Sequence, residues 1–213
     1  EQERKRSLDA FDIHAGKAVM QGPNNYIARG YQSAPIAVTV EGANILTRCL
    51  IVFGQGAVRC HPFILKEMQA VQQDNLDDFD NLLSQHIGHY LSNLSKSFFL
   101  ALSGAQLSCS PVKSADGKYY KQLTRASAAF AFMADSAMMI LGGKLKFKES
   151  LSGRLGDALA MLYIGSAVLK RFADQGRHDE DKPILDWVMH YVLHQFWICI
   201  DGVLDNMPNR WIG

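Results

Sequence analysis

Cysteine is scarce in this chain, with four in 213 residues, and Cys49, Cys60, Cys109 and Cys199 form no Cys-x-x-Cys pair. A disulfide scaffold and a thiolate metal knuckle are therefore excluded as organising features, and reduced thiols in apolar helical surroundings are expected. Charge of one sign is missing as well: 22 Lys+Arg against 21 Asp+Glu leave a formal net charge of +1. Such a balance provides no global field to draw in nucleic acid, and none is expected as a partner. Apolar runs are broken by Lys, Asp or His before they reach the roughly 18–20 residues of a membrane span. The charged start Glu1-Gln2-Glu3-Arg4-Lys5-Arg6 has no apolar stretch behind it, so no signal peptide is expected, and the lack of an initiator Met suggests a processed chain or a piece of a longer one.

What is present is helical periodicity. Residues 7–21 read as a helix, and Gly22-Pro23-Asn24-Asn25 as a turn. Residues 26–40, with Gly30 and Pro35, read as an extended loop or a short strand ending in Ile36–Val40. A helix is expected from near Glu41 to Phe53, and another begins at Cys60-His61-Pro62, Pro62 suiting a first turn. From Asp74, a candidate N-cap, apolar residues step by three or four through Leu76, Phe79, Leu83, Ile87, Tyr90, Leu94, Phe98 and Leu102, with Gly104 as a stop. Three similar segments follow, ending at Gly142-Gly143, at Gly176 and at Pro208. Four long helices with short connectors predict an all-α fold closed by an antiparallel up-down-up-down bundle over 74–213, preceded by a separate helical part over 1–73.

Several residue groupings invite a chemical reading. Asp186, His190 and His194 can share a helix face as metal ligands do, but no second helix offers a matching Glu-x-x-His pair, and a polar stripe is the plainer reading. His86 and His89 flank Gly88 and read as a packing position. Lys144, Lys146 and Lys148 around Phe147 read first as a solvated helix start and second as a surface for phosphate or anionic lipid. Glu41 follows the apolar run Ile36–Val40 and precedes Gly42; a carboxylate losing solvation there gains basicity, and Gly42 allows close approach of a ligand.

The stretch Val40-Glu41-Gly42-Ala43-Asn44-Ile45-Leu46-Thr47-Arg48 resembles the catalytic-glutamate segment of acyl-CoA dehydrogenases, in which an Arg stands seven positions after the Glu. Gly22–Tyr26, Arg29–Ile36 and Phe53–Pro62 extend the resemblance, and Leu141-Gly142-Gly143, Arg154–Asp157 and Pro208-Asn209-Arg210 carry it into the later helices, all similar to the long bacterial members that act in fatty-acid β-oxidation. The resemblance implies the end of a dehydrogenase C-terminal helical domain over 1–73 and an additional bundle over 74–213. It further implies FAD as cofactor, an acyl-CoA substrate oxidised to trans-2-enoyl-CoA, Glu41 as the base for the α-proton, Gly42 and Arg48 close to substrate or cofactor, an electron-transfer flavoprotein as acceptor, homo-oligomerisation and a cytoplasmic location, peripheral at the inner membrane. The family's common Thr two positions after the Glu is Ala43 here, so no flavin role is carried over to Ala43, Ile45 or Pro23. Since the family's N-terminal helical and middle β-domains are not in these residues, the chain alone is expected to be inactive, with apolar surface left uncovered. The competing reading is a helical interaction module with no catalysis of its own.

Overall fold

The computed structural model describes residues 2–25, 27–36 and 55–208, and all regular structure among them is helical. The chain divides into two compact units, Glu1–Thr47 and Arg48–Gly213.

In the first unit, α1 (Gln2–His14), α2 (Gly16–Val19) and α3 (Ile27–Ser33) pack together. The expected turn forms, with Asn25 N–H donating to Gly22 O at 3.1 Å. Asn25 Oδ1 then accepts from Ala28 N–H at 2.9 Å, and its amide donates to Ala18 O at 3.0 Å. One side chain thus starts α3 and ties it back to α2. The extended reading of 26–40 is corrected over Ile27–Ser33, where the Asn25 cap and the contact of Phe11 with Tyr31, ring centroids 5.3 Å apart, favour a helical turn over the strand-like composition.

The second unit holds α4 (Gly56–Cys60), α5 (Ile64–Gln72) and four long helices: α6 (Leu76–Leu102), α7 (Gly117–Leu141), α8 (Glu149–Asp174) and α9 (Lys182–Leu204). It therefore takes in α4 and α5 together with the bundle whose start was expected at 74. The N-cap of α6 is Asn75 rather than Asp74: Asn75 Oδ1 accepts from Asp78 N–H at 3.2 Å, while Asp74 sits at φ 53° and closes α5, with Asn75 N–H on Ala70 O. One residue ends a helix and the next begins another, a division of labour that helical periodicity does not show. Gly104 (φ 57°) and Gly176 (φ 90°) terminate α6 and α8 as expected, each followed by a residue donating back to Leu100 O or Phe172 O.

Neighbouring long helices run antiparallel. Gln122, early in α7, bonds Gly104 at the end of α6, Gly165, late in α8, lies against Leu123, early in α7, and Gly202, late in α9, lies against Arg154, early in α8. The core comes mainly from α7, α8 and α9, through Ala126, Ala137, Leu155, Ala158, Val192, Phe196 and Val203, with a second cluster of Tyr119, Leu123, Leu169, Phe172, Leu185 and Met189. Gly165 lets the three helices close up, since a Cβ there would lie 3.0 Å from Leu123 Cδ2 and 3.1 Å from Val192 Cγ1. α6 lies along α7 and buries only Asn93 and Leu100. Its Leu83, Ile87, Leu91, Leu94, Phe98 and Leu102 form an exposed apolar stripe.

Two expectations change. The stretch Gly117–Leu145 is, by length and composition, apolar enough to cross a membrane, because a helix supplying Ala126, Met133, Ala137 and Leu141 to a core is nearly as apolar as a span. Cys60 and Cys109 are exposed thiols at the end of α4 and in the α6–α7 loop, not core residues, and Cys199 is partly buried.

Candidate functional site

Glu41, Gly42, Arg48 and Cys49 lie outside the described residues. So does Trp211, whereas Trp197 packs against the core under the Arg125 guanidinium, 4.8 Å from its ring centroid. The Asp186, His190 and His194 trio does not assemble as ligands. The Asp186 carboxylate accepts from the Tyr119 hydroxyl and pairs with Lys118 at 3.4 Å, His190 Nδ1 lies 2.6 Å from the Asp186 backbone oxygen, and His190 and His194 are exposed. The Tyr119 hydroxyl, followed by Lys118, holds the Asp186 carboxyl below the ordinary carboxylate range.

The site the structure does assemble lies between α5, α6 and α7. His61 stands in the extended conformation before α5 (φ −66°, ψ 134°), and its Nδ1 accepts from the N–H groups of Phe63 and Ile64 at 3.3 and 3.2 Å. It braces the turn leading into α5, and the helix expected to begin at Cys60-His61-Pro62 begins instead at Ile64, with Cys60 ending α4 and Pro62 in the turn between. A backbone N–H only donates, so Nδ1 carries no proton and the ring proton sits on Nε2. That atom lies 2.7 Å from Asp135 Oδ1 of α7, close but too bent for a well-formed hydrogen bond.

Opposite, His86 of α6 places Nδ1 at 2.8 Å from Glu67 Oε1 of α5. The carboxylate accepts and the ring donates, so in the neutral ring the lone pair is on His86 Nε2. His86 Nε2 and Asp135 Oδ2 are buried and have no hydrogen-bond partner among the described residues. The two imidazoles lie 4.7 Å apart, with Phe63 stacked on His86 at 5.5 Å. Ligand atoms of His61, His86 and Asp135 lie within 4.8 Å of one another.

Glu67, His86 and Asp135 line a cavity of about 390 Å³ whose other walls are Ile64, Leu83, Ile87, Tyr90, Met138 and Met139. Tyr90 and Ser136 hydroxyls meet at 3.2 Å nearby. Two carboxylates on its wall oppose a pyrophosphate, so this cavity does not suit a flavin dinucleotide.

His86 reads from sequence as a packing position, and His61 and Asp135 carry no signal there beyond His-Pro at a helix start. Only the crossing of α5, α6 and α7 brings them together. Elsewhere, Asp116 ties the α6–α7 loop to the α8–α9 loop through Arg177 Nε at 3.3 Å. Its burial pushes the carboxyl up, but the Ser114 hydroxyl, its own backbone and Arg177 together outweigh that and hold it low.

The fold and this cluster define a class: an all-helical domain with a polar cluster between its helices and an apolar face left open on α6. Within that class, residues 58–213 match the family described as acyl-CoA dehydrogenase, C-terminal, bacterial type, and the chain belongs to that family. No solved structure matches the chain.

Proposed function

We propose that this chain acts in a FAD-dependent acyl-CoA dehydrogenase that converts fatty acyl-CoA to trans-2-enoyl-CoA, the first oxidation of fatty-acid β-oxidation, with Glu41 as the base. The observation that carries the reading is the family match over residues 58–213, which begins after the Val40-to-Arg48 segment that resembles the catalytic-glutamate segment. Glu41 takes the proton from the α-carbon of the thioester, an acidity the adjacent carbonyl provides. Gly42 gives the substrate room beside that carboxylate, and Arg48 stands close to substrate or cofactor. FAD, when bound, supplies the acceptor for the β-hydride. An electron-transfer flavoprotein then takes the electrons. The dehydrogenase works in the cytoplasm, peripheral at the inner membrane, and the chain alone does not turn over.

The experiment is a visible spectrum of the protein containing this chain with its flavin- and thioester-binding parts, before and after a long-chain acyl-CoA is added. A flavin band that bleaches in the wild type and persists in Glu41→Gln supports the reading. A protein that takes up no flavin, or a Glu41→Gln variant that bleaches normally, overturns it.

One observation favours a second role beside the first. The exposed stripe from Leu83 to Leu102 on α6 is the kind of surface that seats another subunit. Self-association through it is proposed, and a helical module without catalysis would show that association while failing the flavin test.

A further inference from the structure

The buried carboxylates between α5, α6 and α7 have no Lys or Arg partner among the described residues. Glu67 and Asp135 have only histidine as ion-pair partner among the described residues. Two carboxylates with side chains 14% and 3% exposed are costly to bury uncompensated.

Three atoms of the cluster are buried without a hydrogen-bond partner among the described residues: His61 Nε2, which carries its ring proton, His86 Nε2 and Asp135 Oδ2. The last two offer lone pairs, and both their residues line the cavity, which His61 does not. Glu67 grips the far nitrogen of His86 at 2.8 Å, and His61 Nε2 lies 2.7 Å from the other oxygen of Asp135 in a bent contact. A carboxylate behind an imidazole, fixing its tautomer and raising its basicity, is the arrangement that prepares histidine for a metal ion. One imidazole nitrogen and one carboxylate oxygen are ligands that zinc and its neighbours accept, at about 2.0–2.2 Å.

We propose that His86 Nε2 and Asp135 Oδ2 bind a divalent transition-metal ion of the zinc class on the wall of the 390 Å³ cavity, with Glu67 and His61 as positioning residues and the remaining coordination open to that cavity. The ion's charge offsets the two carboxylates. The inference does not depend on the dehydrogenase reading.

The test is titration of the chelator-stripped protein with Zn²⁺ by calorimetry and with Co²⁺ by visible absorption. One saturable equivalent is expected in the wild type, with a rise in thermal midpoint. His86→Gln and Asp135→Asn should each lose that equivalent, with affinity down at least about 100-fold, and Glu67→Gln should lower it about 10- to 100-fold. Absence of saturable binding in the wild type overturns the proposal. So does binding that persists in His86→Gln, which would place the ion on exposed histidines such as His190 or His194. Should a variant fail to fold, the wild type decides: Co²⁺ must perturb the methyl resonances of Leu83, Ile87 and Met138, and perturbation confined to other methyls overturns the assignment.

Discussion

Replacing Tyr119 by Phe isolates one hydrogen bond at the end of the bundle. Tyr119 is 3% exposed and packs with Leu123, Leu169, Phe172, Leu185 and Met189, contacts a Phe ring keeps. Only the hydroxyl's bond to Asp186 goes. A hydrogen bond to a charged acceptor contributes about 1.5–3 kcal/mol. Asp186 is about half exposed and keeps Lys118 at 3.4 Å, so water can replace the hydroxyl and the loss should fall near the low end, about 1–1.5 kcal/mol. The pH dependence follows from the same contact. The Tyr119 hydroxyl is the largest of the causes holding the Asp186 carboxyl below its ordinary range, with burial opposing it and Lys118 assisting. A folded-state carboxyl pKa below the unfolded one stabilises above the unfolded pKa, and that contribution disappears as pH falls through the folded value. The difference between wild type and Tyr119→Phe should therefore be full at pH 7 and shrink once the pH drops below the ordinary carboxylate range. At the alkaline end, burial and then Asp186 raise the Tyr119 pKa, so the wild type alone should lose stability as pH climbs past ordinary tyrosine ionisation. Urea unfolding of both proteins across pH 3 to 11 measures this. A difference at pH 7 that persists unchanged at pH 3 would refute the argument.

Leu155→Ala should cost about 2–5 kcal/mol in urea unfolding, because Leu155 is fully buried among α7, α8 and α9 and its side chain leaves a cavity. Asn75→Ala should cost about 1 kcal/mol by removing the α6 cap, and Asp74→Ala should not imitate it through that cap. Asp116→Asn should be most damaging at neutral pH, and the gap to wild type should narrow on acidification as the low-pKa carboxyl of the wild type protonates; unfolding at pH 7 and pH 3 measures it. Changing exposed Lys144 and Lys148 to Glu should abolish any salt-sensitive binding to anionic vesicles, read by co-sedimentation, while leaving the thermal midpoint near wild type.

Much of the architecture is a local matter, and the sequence by itself determined it. Apolar residues stepping by three or four set the four long helices, and Gly104, Gly142 and Gly176 stop three of them because a left-handed residue closes a helix at little cost to glycine. The resemblance around Glu41 likewise rested on contiguous residues, and the family match over 58–213 agrees with it. The division between Asp74 and Asn75 was not legible, since both residue types serve as caps and only the backbone turn assigns the roles. The helical turn at Ile27–Ser33 was hidden behind Gly30 and a strand-like composition until Asn25 capped it. Tertiary structure alone decided the cluster of His61, Glu67, His86 and Asp135, which come from a loop and three helices up to 74 residues apart. No spacing rule connects them: their proximity depends on how α5 and α6 cross α7, and that is set by side-chain packing across the whole interface rather than by any segment's own periodicity.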